Sequence, residues 1–257
     1  MSAAGSRRAA GSAASAADAV TRISRRLSRE VGALDFAAPV ACVYNPLDYA
    51  RAPHERYLAN ARRGIDALFL GMNPGPFGMA QTGVPFGEIA AVRGFLGIEA
   101  RVRAPKVTHP KRPIEGFACT RSEVSGRRFW GLMAREFGTP ERFFARAFVW
   151  NWCPLAFMAE SGANITPDKL ARGERAAVED ACDRALRAMV AELSPRVLVG
   201  VGAFASKCAA RALGDNDEEF RAGTPEIVTM LHPSPASPAA NRGWDAAAEK
   251  VLNAVLR

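Results

Sequence analysis

Cysteine is scarce in this chain, and the few cysteines are not spaced for metal binding. Only five occur among 257 residues, and they lie far apart: Cys42, Cys119, Cys153, Cys182 and Cys208. Zinc and iron–sulfur sites need a CxxC pair or a Cys/His cluster, and a disulfide framework needs an even number of cysteines. We therefore predict a reducing compartment, no metal site and no cofactor.

Long apolar runs are absent as well. No stretch reaches the roughly 18 to 20 uninterrupted apolar residues of a membrane span, and the first residues lack the apolar core of a secretory signal. We expect a soluble, intracellular protein that has no membrane partner.

Acidic residues are outnumbered by basic ones. The chain has 34 Lys and Arg against 26 Asp and Glu, which gives a formal net charge of +8 and a pI near 9.7. This balance suits a polyanionic partner such as nucleic acid, although many basic proteins bind none. Apolar residues make up 49% of the chain, enough to bury the core of one α/β domain or of two small ones, and we expect one.

The N-terminal residues differ in composition from the rest of the chain. Residues 1–17 are mostly Ala, Ser, Gly and Arg with little apolar surface to bury, so we predict a disordered basic tail before a domain at 18–257. An organellar transit peptide has a similar composition and is the alternative. The next residues predict an amphipathic first helix, with apolar positions at Val20, Ile23, Leu27 and Val31.

Short apolar runs alternate with helical patterns from residue 65 onward. The runs predict strands at 67–70, 147–150, 197–199 and 227–231. Helical patterns cover 130–137, 167–193, 203–213 and 244–256, with Thr166 as N-cap of the second. This alternation predicts a single α/β domain with a parallel sheet of about four strands and helices on both faces.

Polar side chains follow three of these strands directly. Asn73, Asn151 and His232 lie in the loops after the first, second and fourth strands, and the third loop is GVGAFAS. Since ligands bind at the carboxyl ends of parallel strands, we expect all four loops to open onto one edge of the sheet. The loops hold no Ser/His/Asp set, carboxylate pair or metal cluster, so acyl transfer, retaining glycoside hydrolysis and metal-dependent hydrolysis lack their usual groups.

Two amides and one imidazole suit a planar imide better than they suit a nucleophile. An Asn amide offers a donor and an acceptor side by side, which match the N3/O4 edge of uracil. His232 can stabilise the base as it departs as an anion, and Asn73 can position water. Singly, each residue also has an ordinary reading, because Asn after a strand, His before Pro and glycine-rich loops are all common in turns.

Five segments of the chain stand out when they are taken together. They are GMNPGPFGMAQTGVPFGE at 71–88, HPKRP at 109–113, SEVSGRRFWG at 122–131, FVWNWCPL at 148–155 and HPSPASPAANRGW at 232–244. In this order they resemble the uracil-DNA glycosylase superfamily, and closely its single-strand-selective monofunctional branch. The first segment is similar to that branch's first motif almost residue for residue, and the similarity spans roughly residues 35–255.

The resemblance implies a role for each matching residue. Asn73 would orient the hydrolytic water, and His232 would stabilise the leaving base. Residues that would bind the base are Met72 and Gly75 in the pocket floor, Phe86 as a stacking platform and Asn151 at the polar edge. Because Gly75 carries no side chain toward C5, we expect the pocket to admit 5-hydroxymethyluracil and 5-formyluracil as well as uracil.

The segment after His232 would enter the duplex as a wedge. The expected DNA contacts are Ser234, Pro235, Ala236, Ser237, Pro238, Asn241, Arg242, Lys111 and Arg112, and further phosphate candidates are Lys106, Arg127 and Arg128. The family leads us to expect a basic residue directly after HPSP, where this chain has Ala236 and Ser237. A smaller wedge predicts weaker activity on paired than on single-stranded uracil. A second departure is Trp150 beside Asn151.

These features predict a monofunctional DNA-repair glycosylase. It would hydrolyse the N-glycosidic bond of uracil and C5-oxidised uracils in single-stranded and duplex DNA and leave an abasic site. By the resemblance we expect a monomer, in the cytoplasm with the nucleoid if the source is bacterial and in the nucleus if it is eukaryotic. Two alternatives stay open: a relative acting on deaminated purines such as xanthine or hypoxanthine, and a module that binds abasic or single-stranded DNA without cutting it.

Overall fold

The computed structural model describes residues 4–214 and 224–256, with side chains from residue 16. Its strands, numbered in chain order, are β1 (Val40–Tyr44), β2 (Ala67–Gly71), β3 (Ala147–Asn151), β4 (Ala156–Ala159), β5 (Asn164–Ile165), β6 (Val197–Val201) and β7 (Glu226–Met230). Its α-helices are α1 (Ala4–Gly32), α2 (Pro46–Tyr49), α3 (Arg51–Leu58), α4 (Met79–Thr82), α5 (Ile89–Gly94), α6 (Val124–Phe137), α7 (Pro140–Phe144), α8 (Arg172–Leu193), α9 (Ala203–Gly214) and α10 (Pro238–Val255).

A four-stranded parallel sheet with flanking helices forms the centre of the fold, which confirms the predicted α/β class. The strand order is β3-β2-β6-β7. Every residue of β2, β3 and β6 is buried, and for this reason these strands appear in the sequence as unbroken apolar runs. The edge strand β7 is only partly buried.

The other edge of this sheet is closed by a tyrosine. Tyr57 of α3 is fully buried; its hydroxyl donates to the Val149 carbonyl at 2.8 Å and accepts from the Val149 N–H at 3.1 Å. These two bonds satisfy polar groups of β3 that would otherwise be unpaired at the sheet edge. They also fix the strand two residues before Asn151.

A second, three-stranded antiparallel sheet was not predicted. It has the order β1-β4-β5, and its pairs are antiparallel. Two of its strands have only four and two residues, too short to show the alternation that identifies a strand in a sequence. The second sheet stays near the carboxyl edge of the parallel sheet, because β4 starts five residues after Asn151, and Asn164 of β5 and Thr166 line the same cleft as Asn151.

Several helices differ from the predictions in their bounds, and α6 and α10 each begin six residues before the patterns predicted at 130–137 and 244–256. The first helix begins at Ala4, so residues 4–17 of the expected tail are helical and continuous with the amphipathic segment; residues 1–3 lie outside the described residues. Alanine, abundant in this segment, has the highest helix propensity. The pattern at 167–193 is divided into a 3-10 turn at Pro167–Lys169 and α8, and the Thr166 side chain makes no cap hydrogen bond.

None of the described helices combines the length and the apolar character of a transmembrane span.

Candidate active site

A cleft of about 460 Å³ opens at the carboxyl edge of the parallel sheet. Asn151, the last residue of β3, and Asn73 and His232, which follow β2 and β7, all line it. The structure thus brings the two amides and the imidazole together. The other lining residues are Met72, Gly75, Pro76, Phe77, Phe86, Arg121, Ser122, Glu123, Val124, Ser125, Asn164, Thr166, Ser234 and Pro235.

Backbone hydrogen bonds join the first two loops where they leave the sheet. The N–H of Trp152 donates to the Gly71 carbonyl and that of Cys153 to the Met72 carbonyl, both at 2.9 Å. The pairing of β2 with β3 therefore continues past the strand ends. This continuation sets the positions of Asn73 and Asn151 relative to each other.

Asn73 is half-buried, and its amide has a fixed orientation. Its Nδ2 donates to the Leu155 carbonyl at 3.3 Å. Because the NH₂ group is bound in this way, the carbonyl oxygen Oδ1 is the part of the amide left to accept a hydrogen bond. A water molecule in the cleft is a suitable donor for it.

Asn151 is 4% exposed and lies against Gly71. A Cβ added to Gly71 would overlap Asn151 Oδ1 and lie 2.8 Å from Phe86 Cε2. Glycine at residue 71 therefore leaves space for the Asn151 amide and the Phe86 ring. In the part of the chain that the structure describes, the sulfur of Met79, at 3.2 Å, is the only partner of Asn151 Nδ2. Since thioether sulfur is a weak acceptor, a carbonyl oxygen of a bound base would be a stronger one.

Phe86 is 7% exposed, and its backbone has a left-handed φ of 52°. This conformation is costly for an aromatic residue and persists only where the surroundings hold it. Trp130 Nε1 donates to the Pro85 carbonyl at 3.0 Å, and Thr82 Oγ1 donates to the Gly87 carbonyl at 2.9 Å. The ring stacks on Phe129 with centroids 4.8 Å apart and planes at 16°, so it forms a rigid platform in the cleft wall.

His232 is held as a neutral imidazole in one tautomer. Burial lowers its pKa to about 4, and its Nδ1 accepts the Ser234 N–H at 3.1 Å. A neutral ring whose Nδ1 is an acceptor carries its proton on Nε2. Gly202, with φ of 94°, lies behind it, and a Cβ there would be 3.1 Å from His232 Cβ. The ring thus presents an N–H donor at the cleft.

Glu123, just before α6, is a cleft residue that sequence reasoning missed. A Cβ added to Gly75 or Gly78 would overlap its carboxylate. The space over Gly75, expected to be free of side chains, is therefore occupied by a carboxyl group. Its Oε2 is buried and has no hydrogen-bond partner in the described ranges 4–214 and 224–256. Burial, and secondarily the charge of Glu88, raises the pKa of the Glu123 carboxyl to about 7. Glu123 belongs to the segment at 122–131 that stands out in the sequence, but no feature of the sequence places Glu123 opposite Gly75.

The expected wedge is a short, braced loop between β7 and α10. Ser234 Oγ accepts the Ala236 N–H at 3.1 Å, and Ser237 caps α10 by accepting from the Ala240 N–H at 3.3 Å. Asn241 Nδ2 donates to the Pro235 carbonyl at 2.7 Å. Ser234 and Pro235 line the cleft. Of the expected DNA contacts in this segment, Pro235, Ala236, Pro238, Asn241 and Arg242 are exposed, and Ser234 and Ser237 are partly buried.

Arg128 braces the same loop. Its guanidinium donates to the Pro233 carbonyl at 3.1 Å and to Asn241 Oδ1 at 3.0 Å. Two of its donor groups are therefore engaged within the protein, which differs from the expected role as a free phosphate contact. Arg127 is exposed and makes only a long contact, 3.5 Å, with Ser122 Oγ.

Basic residues also surround an aromatic ring in the cleft wall. Phe77 lines the cleft; the guanidinium carbon of Arg121 lies 4.3 Å from its centroid and that of Arg112 lies 5.5 Å away. Lys111 beside them is exposed, while Lys106 is an exposed residue farther along the same loop. Phe77 and Arg121 were not predicted as site residues, because no sequence pattern relates two loop residues 44 positions apart.

No group of three or more His, Cys, Asp or Glu side chains in the described part of the chain is arranged to hold a metal ion. The five cysteines are buried free thiols. Trp150 is 2% exposed, and its Nε1 has no partner among the described residues; its ring packs near His54, 6.1 Å between centroids, in the core.

Known proteins are similar to this chain in sequence or in fold. Residues 60–256 match the uracil DNA glycosylase superfamily. The chain is 49% identical over 228 residues to the single-strand selective monofunctional uracil-DNA glycosylase of Rattus norvegicus, which covers 88% of this chain and 80% of the relative. It is 49% identical over 229 residues to the Bos taurus protein of that name, covering 89% and 82%. The crystal structure of Pedobacter heparinus SMUG2 matches with a TM-score of 0.61 at 17% identity, covering 90% and 96%.

The sheet, the cleft and these relatives together define a DNA-repair enzyme, and the chain belongs to the uracil DNA glycosylase superfamily. Within it the chain is a monofunctional uracil-DNA glycosylase of the single-strand selective family, a hydrolase of N-glycosidic bonds. The family predicted from the five sequence segments is confirmed.

Proposed function

We propose that this cleft hydrolyses the N-glycosidic bond of uracil and of C5-oxidised uracils in single-stranded and duplex DNA, and leaves an abasic site. One observation carries the proposal. Two amides and one neutral imidazole, from three different strand ends, line one cleft beside the rigid ring of Phe86.

The extruded base would stack on Phe86. Its opposite ring face is packed on Phe129, so only one face is available to a ligand. Stacking of a base on an aromatic side chain contributes about 1–3 kcal/mol in single-strand sites. Asn151 would then donate from Nδ2 to O4 and accept from N3–H at Oδ1, and O4 would replace the weak sulfur contact of Nδ2.

His232 would stabilise the leaving group. When the bond between C1′ and N1 breaks, its electron pair remains on the base, which becomes a uracil anion with charge shared between N1 and O2. The Nε2–H of the neutral imidazole donates to O2 as that charge develops. A preorganised donor of this kind contributes about 10²–10³ in rate.

Asn73 would position the water. Its Oδ1 accepts a hydrogen bond from the water while the water oxygen bonds to C1′; one hydrogen stays on the new hydroxyl group at C1′, and the other leaves as a proton to solvent. An amide is too weak a base to deprotonate water beforehand, so the sugar must already be strongly cationic when water adds. The bond from Asn73 Nδ2 to Leu155 holds this orientation.

Glu123 would read the substituent at C5. With O2 toward His232 and O4 toward Asn151, C5 comes next around the ring and faces the loop at 71–78, over which the Glu123 carboxyl lies. That carboxyl has a buried oxygen without a partner, and the O–H of a hydroxymethyl group can donate to it. A formyl group has no donor, so it fits best when Glu123 is protonated.

The wedge would set the strand preference. Flipping a base out of a duplex costs a few kcal/mol and least from a single strand. Ala236, at the exposed tip, has no long side chain to fill the gap left in a duplex. We therefore expect weaker activity on paired than on single-stranded uracil.

Single-turnover excision assays test the proposal. Oligonucleotides would carry uracil, 5-hydroxymethyluracil, 5-formyluracil, xanthine or thymine, each single-stranded and paired. We expect release of the three uracils, faster from single strands, with thymine resistant and no covalent adduct after borohydride treatment. Release of xanthine alone would favour a purine-directed relative. Tight binding with no release would favour a binding module, and equal rates on both strand forms would contradict the wedge argument.

A further inference from the structure

The cleft wall carries a second feature, formed by Phe77, Arg112 and Arg121, that base excision does not use. The Arg121 guanidinium lies over the Phe77 ring, 4.3 Å from carbon to centroid, and that of Arg112 is 5.5 Å from the same centroid. Phe77 and Arg121 line the cleft together with Asn73 and His232. The group therefore lies beside the base pocket.

The loop that presents Arg112 is braced from below. The buried hydroxyl of Tyr44 donates to the Arg112 carbonyl at 2.6 Å and accepts the His109 N–H at 2.7 Å. His109 Nδ1 also accepts the Lys111 N–H at 3.1 Å. A loop tied in this way presents its basic side chains at fixed positions, so less entropy is lost when they bind an anion.

Neither guanidinium is neutralised within the protein. Many arginines of this chain pair with carboxylates, but no ion pair of Arg112 or Arg121 occurs in residues 4–214 and 224–256. Among the described residues, Arg112 donates only to the Lys111 carbonyl, and its buried Nε has no partner there. Two unpaired cations against one aromatic ring are suited to a ligand that has both a flat face and negative charge.

A nucleotide in a single strand has both properties. Its base can stack on an aromatic ring or a guanidinium plane, and its phosphate accepts charge-assisted hydrogen bonds. We propose that Phe77, Arg121 and Arg112 form a subsite for the nucleotide next to the extruded one, which stacks its base on the Phe77–Arg121 pair and places its phosphate against the guanidinium groups. The subsite rests on the proposed function of the base pocket.

The subsite favours single strands for a physical reason. In a duplex, each base is already stacked on its neighbours and paired, so moving the flanking base to Phe77 costs the energy of unstacking. In a single strand that cost is small. The subsite would thus add single-strand preference on the protein side, independently of the wedge.

Binding of single-stranded DNA at several salt concentrations tests this. The probe is an 11-mer with a central 2′-fluoro-2′-deoxyuridine, whose electron-withdrawing fluorine slows bond breakage so that affinity can be measured. For Phe77→Leu we expect at least a fivefold loss of affinity with an unchanged salt dependence, restored by Phe77→Trp. For Arg121→Gln the slope of log affinity against log salt should become shallower by about 0.7, one phosphate contact.

A matched control is Arg62→Gln. Arg62 is exposed and precedes β2, so it lies toward the opposite edge of the sheet from the cleft; it should bind as the wild type does. At subsaturating enzyme the rate of uracil release should fall in Phe77→Leu and Arg121→Gln in proportion to the lost affinity, and it should stay at the wild-type value in Arg62→Gln.

A second probe identifies what is bound. One neighbour of the 2′-fluoro nucleotide is replaced by a tetrahydrofuran spacer, which keeps the phosphate and removes the base, on the 5′ and the 3′ side in turn. One of the two replacements should lower the affinity of the wild type for the oligonucleotide. The same replacement should not lower the affinity of Phe77→Leu any further. The inference is overturned if neither replacement matters, or if the variants bind like Arg62→Gln while uracil is still excised. If the wild type excises no uracil, the proposed function itself fails.

Discussion

Replacing Glu123 by Gln should stabilise the protein at high pH and leave its stability at low pH nearly unchanged. Burial raises the pKa of this carboxyl to about 7 from an ordinary value of 4.5. A group whose pKa is higher in the folded than in the unfolded state binds its proton more tightly when folded. Ionisation of Glu123 therefore does not lower the free energy of unfolding below pH 4.5. The loss of stability begins above pH 4.5 and is complete once the pH exceeds 7.

The magnitude follows from the same two values. Each pH unit corresponds to about 1.4 kcal/mol, so the ionised carboxylate costs the fold about 3 kcal/mol above pH 8. Gln has nearly the same shape and cannot ionise. For a domain of this size, about 3 kcal/mol corresponds to a shift in Tm of roughly 6–12 °C.

Thermal or urea unfolding of wild type and Glu123→Gln between pH 4.5 and 8.5 measures this difference. The exposed residue Glu160 provides the control Glu160→Gln, whose stability difference should stay within about 0.5 kcal/mol at every pH. A difference for Glu123→Gln that does not change with pH would refute the reasoning, because it would mean that the carboxyl has the same pKa in the folded and the unfolded protein. With the stability gain we expect a selective loss of activity on 5-hydroxymethyluracil relative to uracil.

Other parts of the site lead to further expectations. Gly71→Ala should lower the rate of uracil release at least 100-fold, since its Cβ would overlap Asn151 Oδ1 and crowd Phe86. The control Gly94→Ala, where a Cβ meets nothing within 4 Å, should leave the rate nearly unchanged. Equal effects of the two substitutions on the rate would contradict this account. In the Glu123→Gln background the single-turnover rate should be constant from pH 5.5 to 8.5. It should fall only toward pH 4, where Nδ1 of His232 becomes protonated and can no longer accept the hydrogen bond from Ser234. A rate that falls as the pH is raised through 6.5 would indicate a charged imidazole instead. Arg128→Ala should reduce excision from duplex more than from single-stranded DNA, because the wedge loses two hydrogen bonds; similar reductions on both would show that Arg128 does not act through the wedge.

The strands that position the site could be predicted well. Their runs are wholly apolar because β2, β3 and β6 are buried on both faces, and each predicted run lies inside an observed strand except at the end of β7. Polar residues directly after such strands must meet at one edge, so Asn73, Asn151 and His232 could be grouped without coordinates.

Contacts between distant segments could not be predicted in this way. Glu123 precedes α6, and no periodicity relates it to Gly75, 48 positions earlier in the chain. Arg128 resembles any surface cation until the structure places it against the wedge. Residues 4–17 lie in α1 instead of the expected tail, because alanine favours the helical conformation even where there is little apolar surface to bury.

The most direct test of the central claim is the single-turnover release of uracil from single-stranded DNA by Asn73→Ala at saturating enzyme. Removing the amide removes the acceptor that orients water but leaves Phe86, Asn151 and His232 in place. The rate should fall at least 100-fold while the affinity for the 2′-fluoro-2′-deoxyuridine oligonucleotide stays within about threefold. Release at the wild-type rate would show that Asn73 does not position the water, and it would contradict a reaction carried out jointly by Asn73, Asn151 and His232.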